Sequence, residues 1–340
     1  MDTPTIRFAT GTTVKDYGWY REWLSVAEES GFEMLTTGDS QSLWADPFVS
    51  MTVAAERTTR PRIGLTVSNP QTRHPAVVAS SLVALQDISG GRMVYGISSG
   101  DSALRNIGVR PATVAELDEF IRAVKGLCAG ETVSYKGQEL VLRWGSHPVP
   151  VWMAAEGPRT QYLAGQIADG VVLSNALDAA VLADARANLA AGAASTGRSV
   201  EDIEVWCMAA MCPAPSEREG IDTLRFLLAG TANHVYRFHM NGKGVPDEYR
   251  DRLAELQRRY DSRHHATPAT AQANAALVEE LGLVDFLAAR SVIAGPPDRC
   301  IERIAEVAAA GATNLIVSQF VDDQIGFMRS FAREIMPAFA

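Results

Sequence analysis

Short apolar runs rich in β-branched residues alternate with longer segments of helical period along most of this 340-residue chain. Such alternation is typical of βα units, in which a helix crosses over between two parallel strands. Eight runs are predicted as strands, at residues 6–12, 32–38, 62–68, 93–98, 151–155, 170–174, 203–212 and 313–319. Eight strands with mainly helical crossovers predict an α/β fold, a closed (β/α)8 TIM barrel, rather than an open sheet.

Residues 213–290 interrupt this alternation of strands and helices. They contain three segments of helical character, at 216–230, 247–260 and 269–289, separated by loops rich in Gly, Pro and His. Because this stretch follows the seventh predicted strand, we expect a helical insertion that caps the catalytic end of the barrel. A small hairpin is predicted at 132–142, where Lys136-Gly137 separates two alternating runs. No low-complexity linker divides the chain, so we predict a single domain over residues 1–340 with 213–290 as a cap within it.

Composition excludes several classes of partner. The chain has 31 basic and 40 acidic residues, a net charge of −9, and no block of Lys or Arg. This argues against binding to nucleic acid or to anionic membrane surfaces. No apolar run approaches the roughly 18 residues of a membrane span, and no secretory signal opens the sequence. The four Cys form no CxxC pair, which favours reduced thiols, so we expect a cytoplasmic enzyme.

The ends of the predicted strands hold the candidate ligand-binding residues, because ligands bind at the carboxyl ends of barrel strands. Hydroxyls, amides and glycines dominate these positions: Thr10-Gly11-Thr12, Thr37-Gly38-Asp39-Ser40, Ser68-Asn69-Pro70, Ser98-Ser99-Gly100-Asp101-Ser102, Glu156-Gly157-Pro158-Arg159-Thr160, Ser174-Asn175 and Ser318-Gln319. They include no His, so they predict no zinc or iron site. The pattern favours a mouth that hydrogen-bonds a polar, largely uncharged organic molecule.

The segment from Glu156 to Thr160 is the best candidate for an anion site. It ends a predicted strand and opens a helix, so free backbone N–H groups and the positive end of the helix dipole point outward there. Pro158 lacks an N–H group, but Arg159 and Thr160 add side-chain donors for a phosphate. An ordinary capped helix start is the alternative interpretation.

Two acidic residues, Asp39 and Asp101, follow predicted strands. A buried carboxylate is unfavourable without a partner. Proton transfer or binding of a ligand hydroxyl is one interpretation, and a helix cap or a salt-bridged structural acid is the other.

Four stretches together resemble the bacterial-luciferase-like flavin oxidoreductases, in the subgroup of methylenetetrahydromethanopterin reductase. These are Thr37-Gly38-Asp39-Ser40 with Asp46-Pro47-Phe48, GLTVSNPQTRHP at 64–75, SGGRMVYGISSGD at 89–101, and residues 154–170. The resemblance implies a TIM barrel with an insertion near strand seven, a homo-oligomer, and FMN or a deazaflavin lying across the barrel mouth. It also implies a cis peptide bond after strand three, at Thr66–Val67.

The resemblance further implies which residues contact the cofactor. These are Thr66, Val67, Asn69, Ser98, Ser99, Gly157, Pro158, Arg159 and Thr160, with the phosphate near the last four. Luciferase has a catalytic histidine after strand two, whereas this chain has Gly38-Asp39-Ser40 there. Luciferase chemistry is therefore not expected, and Asp39 is the candidate catalytic residue.

An FMN-dependent monooxygenase acting on a small organic substrate is the leading hypothesis. No nicotinamide-binding fingerprint is visible, so a separate reductase is expected to supply the reduced flavin. The first alternative is hydride transfer with a deazaflavin, and the second is a non-catalytic ligand-binding barrel. A deazaflavin has an acidic tail, and the only candidate cations at the mouth are Arg73, Arg105, Arg110 and Arg159, which favours FMN.

Overall fold

The computed structural model describes residues 5–261 and 272–339. The strands are β1 (Arg7–Gly11), β2 (Met34–Thr37), β3 (Arg62–Leu65), β4 (Met93–Ile97), β5 (Val133–Tyr135), β6 (Gln138–Leu140), β7 (Val151–Ala154), β8 (Gly170–Leu173), β9 (Glu204–Pro213), β10 (Val292–Gly295) and β11 (Asn314–Gln319). The α-helices are α1 (Tyr17–Glu29), α2 (Pro47–Arg57), α3 (Pro75–Ile88), α4 (Ser102–Arg105), α5 (Val114–Cys128), α6 (Pro158–Ile167), α7 (Ala179–Ser195), α8 (Glu217–Tyr236), α9 (Asp247–Arg259), α10 (Gln272–Glu280), α11 (Val284–Ser291), α12 (Pro297–Ala309) and α13 (Gln324–Glu334).

Eight parallel strands form a closed ring. The hydrogen-bonded order is β1, β2, β3, β4, β7, β8, β9 and β11, and β11 pairs again with β1. This confirms the predicted TIM barrel and all eight predicted strands. The predicted hairpin is formed by β5 and β6, and both of its turn residues, Lys136 and Gly137, have positive φ. Positive φ at both turn positions is the geometry that matches the twist of the two strands.

Strand β9 has three neighbours. Its first residues pair with β8, its middle with β11, and its last four, Ala210 to Pro213, with β10. The sequence prediction contains no strand at Val292–Gly295, because four apolar residues between two helices show no periodicity of their own. β10 therefore returns the chain from the insertion to the same strand that leads into it.

Four helices, α8 to α11, make up the described part of the insertion, and they share an apolar cluster that includes Leu228, Tyr236 and Leu253. The prediction of one helix over 269–289 is wrong, because α10 ends and α11 begins around Gly282, whose φ is +60°. A left-handed residue ends a helix, and glycine adopts that conformation without steric strain.

The amino end of the barrel is filled by a charged and aromatic plug. Arg62 donates to both carboxylate oxygens of Glu204, at 2.8 and 3.0 Å, and Arg7 donates to one of them at 2.8 Å. The Arg62 guanidinium lies over the buried rings of Trp152 and Trp206. Because these groups occupy the amino end, the carboxyl end of the barrel is the mouth that can admit a ligand. Within the described residues, no helix has both the length and the apolar character to cross a membrane.

Candidate functional site

The segment after β3 is packed against the end of β4. The Thr66–Val67 peptide bond is cis, as the family resemblance predicts. The Ser68 N–H donates to the Gly96 carbonyl at 2.8 Å, and the Ser98 N–H donates to the Ser68 carbonyl at 3.0 Å. The structure therefore brings two of the predicted cofactor-binding stretches together at the mouth.

Asn69, Ser98 and Ser99 lie along this part of the rim, and each has a local contact. The Asn69 side-chain oxygen accepts from the backbone N–H of Gln71 at 2.9 Å. The Ser98 hydroxyl oxygen accepts from the backbone N–H of Gly100 at 3.3 Å. The Ser99 carbonyl accepts from a backbone N–H of the segment before α5. These contacts hold the rim in shape, and their role towards a cofactor stays a prediction.

Asp39 is buried at the end of β2 and held by two donors. Its Oδ2 accepts from the Ser68 hydroxyl at 2.6 Å and from the Arg73 guanidinium at 2.5 Å. Arg73 also donates to Asp46, at 2.7 Å. The other oxygen, Asp39 Oδ1, is buried without a hydrogen-bond partner within residues 5–261 and 272–339. Asp39 thus presents one fixed carboxylate oxygen that can accept a hydrogen bond from a ligand.

Asp101 is a salt-bridged structural acid. It accepts from His234 on α8 and from Arg237, the residue that follows α8, and it forms an ion pair with Arg105 on the short helix α4. Burial alone would raise the pKa of Asp101, but its contacts with His234, Arg237 and Arg105 hold that pKa well below its usual range. Asp101 therefore fastens the insertion to the loop after β4. Of the two interpretations drawn from the sequence, this is the salt-bridged structural acid.

The predicted anion site lies at the start of α6. Gly157 is the N-cap, Pro158 occupies the first turn, and the Thr160 hydroxyl donates to the Gly157 carbonyl at 2.9 Å. The Thr160 hydroxyl oxygen accepts from the Gly157 N–H at 3.4 Å, which caps the helix, while the hydroxyl proton is taken up by the Gly157 carbonyl. Arg159 is exposed and has no ion pair within the described part of the chain. The cap and the anion site are therefore compatible interpretations of the same segment.

Two cationic or polar side chains of the insertion reach this helix start. A Cβ atom placed on Gly157 would lie 3.2 Å from Lys243 Cε and 3.4 Å from His239 Cε1. Lys243 is 6% exposed, and burial lowers its pKa to about 8 even though Glu156 lies nearby. Lys243 and His239 were not predicted as site residues, because contacts across 86 and 82 residues leave no local pattern.

The other predicted mouth cations are neutralised. Arg73 pairs with Asp39 and Asp46, Arg105 with Asp101, and Arg110 with Glu116 at 2.6 Å. Arg159 and the insertion's Lys243 therefore supply the positive charge at the rim near α6.

Several buried polar atoms, four near the strand ends and one on α8, lack hydrogen-bond partners among the described residues. They are Asp39 Oδ1, Glu156 Oε2, Asn175 Nδ2, Tyr236 OH and Gln319 Oε1. Buried polar groups in native proteins are normally paired, so unpaired ones at a mouth indicate where a ligand or water binds. Acceptors and donors occur together here, and a flavin or deazaflavin ring carries both along its edge. Together with the predicted anion site at α6, the residues present fit such a cofactor.

Comparison with known protein families shows the family to which this chain belongs. The model of the family described as luciferase-like monooxygenase matches residues 3–314. The chain belongs to this luciferase-like family. It is therefore an oxidoreductase, and the TIM barrel and the family resemblance expected from the sequence are both confirmed.

Individual relatives of this luciferase-like chain are named as reductases and dehydrogenases. It is 26% identical over 329 residues to 5,10-methylenetetrahydromethanopterin reductase of Archaeoglobus fulgidus, covering 93% of this chain and 94% of that one. It is 27% identical over 337 residues to an F420-dependent glucose-6-phosphate dehydrogenase of Microbacterium testaceum, covering 92% and 90%. The structure of the coenzyme F420 dependent tetrahydromethanopterin reductase from Methanopyrus kandleri matches with a TM-score of 0.74 and 24% identity, covering 99% and 100%; at this identity it shows the fold.

Proposed function

We propose that this protein is an oxidoreductase that uses a deazaflavin of the F420 type to transfer hydride to or from a small organic substrate. The observation that carries the proposal is that the two relatives described above match over at least 90% of both chains, one being F420-dependent by name and the other a reductase. This reverses the order of the two cofactor hypotheses drawn from the sequence. The four arginines predicted at the mouth are not its only candidate cations, because Lys243 of the insertion also lies beside Gly157.

The residues of the chain have distinct tasks in this proposal. When bound, the deazaflavin ring gives up or accepts the hydride. The amides at the start of α6, with Arg159 and Lys243, bind the anionic part of the cofactor. Asp39, fixed by Ser68 and Arg73, orients a ligand N–H or O–H with its free oxygen. The insertion keeps water away from the mouth, since it contacts the rim at both Asp101 and Gly157.

An FMN-dependent monooxygenase, served by a separate flavin reductase, is the second candidate. The description of the matching family as monooxygenases favours it. The two candidates differ in one requirement, since a monooxygenase consumes oxygen whereas hydride transfer to or from a deazaflavin does not.

The test is a direct comparison of the two cofactors. The purified protein is titrated with F420 and with FMN, and binding is followed by fluorescence. We expect F420 to bind at least tenfold more tightly than FMN, and reduced F420 to be consumed equally with and without oxygen once a substrate is supplied. Tighter binding of FMN with oxygen-dependent turnover would support the monooxygenase. Failure of both to bind below the high-micromolar range would leave the non-catalytic barrel.

A further inference from the structure

A cavity lies where the insertion meets the barrel on the side of β11. Its volume is about 620 Å³, which is in the range of small-molecule sites. Residues of α8 and α10 in the insertion and of the loop after β11 in the barrel form its lining, which includes none of the mouth residues described above. We call it the seam cavity, and the lining residues used below are Asp222, Arg225, Phe226, Glu279, Phe320 and Asp322.

The loop after β11 belongs to both halves of this seam. Its Val321 packs against the apolar core of the barrel and also against the apolar cluster of the insertion. Because Val321 also lines the seam cavity, a ligand there contacts the barrel through this loop and the insertion through α8 and α10. Binding of such a ligand would therefore hold the insertion against the barrel.

Two aromatic rings form the apolar part of the seam cavity. Phe226 on α8 and Phe320 in the loop after β11 pack edge to face, with ring centroids 6.3 Å apart and an interplanar angle of 84°. Phe320 is 44% exposed, although it is a large apolar side chain. The face of an aromatic ring carries partial negative charge and attracts organic cations. The rings therefore offer both an apolar surface and a preference for positive charge.

Carboxylates outnumber cations at the seam cavity. Arg225 pairs with Glu279 and lies 3.5 Å from Asp222 Oδ1, and Arg218, outside the lining, lies 3.2 Å from the same oxygen. Asp322 forms no ion pair with any residue in the described parts of the chain. Three carboxylates thus face two guanidinium groups, and the excess negative charge favours a cationic ligand over an anionic one.

We propose that the seam cavity is a binding site for a small organic amine, cationic at neutral pH, with an aromatic body. The body packs against Phe226 and Phe320, and the ammonium group pairs with Asp322. The volume of the cavity suits a single small molecule rather than a segment of another protein. This inference goes beyond the proposed function, because it involves neither the cofactor nor the residues of the mouth.

The first experiment compares three probes that share a phenyl ring and differ in charge. Phenethylamine, 2-phenylethanol and 3-phenylpropionate are titrated against the full chain without cofactor, and binding is followed by ligand-observed NMR. We expect the amine to bind most tightly, the alcohol more weakly and the anion not at all. Affinity for the amine should fall as ionic strength rises, because salt screens the attraction of exposed charges. This experiment can succeed even if the protein binds no deazaflavin.

The second experiment assigns the binding to the seam cavity. Asp322→Asn is expected to raise the dissociation constant of phenethylamine about two- to fivefold and to leave that of 2-phenylethanol unchanged. Phe320→Leu keeps an apolar side chain but removes the ring face, and it is expected to weaken amine binding by a similar factor, about two- to fivefold. The matched controls are Asp251→Asn, an exposed carboxylate on α9, and Trp144→Leu, a 59% exposed aromatic residue after β6. Neither control should change the affinity.

Hydrogen exchange provides a readout that does not depend on a variant. Saturating phenethylamine should slow exchange in α8, in α10 and in the loop after β11, and should leave β2 and β3 unchanged. Three results would each overturn the inference: no binding of the amine, equal binding of the three probes, or amine binding that neither Asp322→Asn nor Phe320→Leu weakens. Protection confined to other parts of the chain would likewise place the amine outside the seam cavity.

Discussion

At the scale of single residues, the mouth contains polar side chains that form a hydrogen bond with one atom and leave another atom without a partner. Asp39 shows the pattern, because Ser68 and Arg73 occupy one carboxylate oxygen and leave the other free. The sequence located this residue at a strand end but could not choose between catalysis and structure. The choice depends on Arg73, which is 34 residues away and was considered only as a candidate mouth cation.

The proposed anion site at α6 gives the first prediction. Replacing Arg159 and Thr160 together with Ala is expected to weaken binding of a phosphate-bearing cofactor by roughly 2–4 kcal/mol, because charge-assisted bonds and helix capping are lost. Binding of the same ring and polyol without phosphate is expected to stay nearly unchanged. Isothermal titration of both ligands checks this. Arg122→Ala, an exposed arginine paired with Asp118, is the control, and equal losses for both ligands would place the phosphate elsewhere.

Lys243 gives a prediction about pH. Burial lowers its pKa to about 8, whereas the same group in the unfolded chain titrates near 10.5. Between these values the unfolded chain binds more protons, so this group makes the fold more stable as pH rises. The difference in unfolding free energy, wild type minus Lys243→Met, is expected to increase from pH 8 to pH 10.5, by up to about 3 kcal/mol. Urea unfolding measures it, and a difference that is constant over this range contradicts the burial of the charge.

At the scale of elements, the plug at the amino end of the barrel depends on Glu204 at the start of β9. Burial would raise the pKa of Glu204, but hydrogen bonds from Arg62 and the charges of Arg62 and Arg7 lower it to about 2. A depressed carboxyl pKa stabilises the fold above the unfolded value near 4.5, and this contribution is lost as pH falls towards 2.

Replacing Glu204 with Gln is therefore expected to lower the unfolding free energy by about 1–2 kcal/mol at pH 7, because Arg62 loses its charged partner and Arg7 keeps only Glu33, in a partly exposed site. The difference in unfolding free energy between wild type and Glu204→Gln should become smaller between pH 5 and pH 2. Denaturant unfolding at several pH values tests this, and a gap that does not depend on pH would contradict the ionic role of Glu204.

The tether between the insertion and β4 gives a prediction at the same scale. Asp101→Asn removes the charge that Arg105, Arg237 and His234 share, and leaves Arg237, whose side chain is 13% exposed, without an ionic partner among the described residues. We expect the free energy of local opening of α8 to fall by about 2–4 kcal/mol. Hydrogen exchange of α8 should accelerate at least tenfold while exchange in β1 and β2 is unaffected. Uniform acceleration throughout the barrel would show that Asp101 supports the whole fold rather than the tether.

Elements were more predictable than contacts. The eight barrel strands and the hairpin follow from local pattern. The sequence missed β10 and the break between α10 and α11, because each is set by only a few residues. Lys243 and Tyr236 at the mouth were also missed, since their positions depend on how the insertion packs and not on their neighbours in sequence.

At the scale of the whole molecule, α2 and α3 carry apolar residues on their outer faces. Val49, Val77 and Ile88 are 53%, 56% and 47% exposed. Exposed apolar residues concentrated on neighbouring elements mark an interaction surface. We propose that two copies of the chain associate through this face.

Val49→Lys combined with Val77→Lys is expected to convert the wild-type oligomer to a monomer, because a lysine in an apolar interface is left unpaired. Light scattering after size-exclusion chromatography measures the mass. Val109→Lys, at a position 37% exposed on the loop before α5, is the control. A wild-type protein that is monomeric at tens of micromolar would contradict the proposed association.

The three-way pairing of β9 has a mechanical consequence. The chain leaves the barrel for the insertion at the end of β9 and returns to it along β10, which is bonded to the same four residues. Both attachment points of the insertion are therefore side by side, and they cannot move apart without breaking backbone bonds of the sheet. Any movement of the insertion that keeps these bonds intact therefore pivots about the β9–β10 pair.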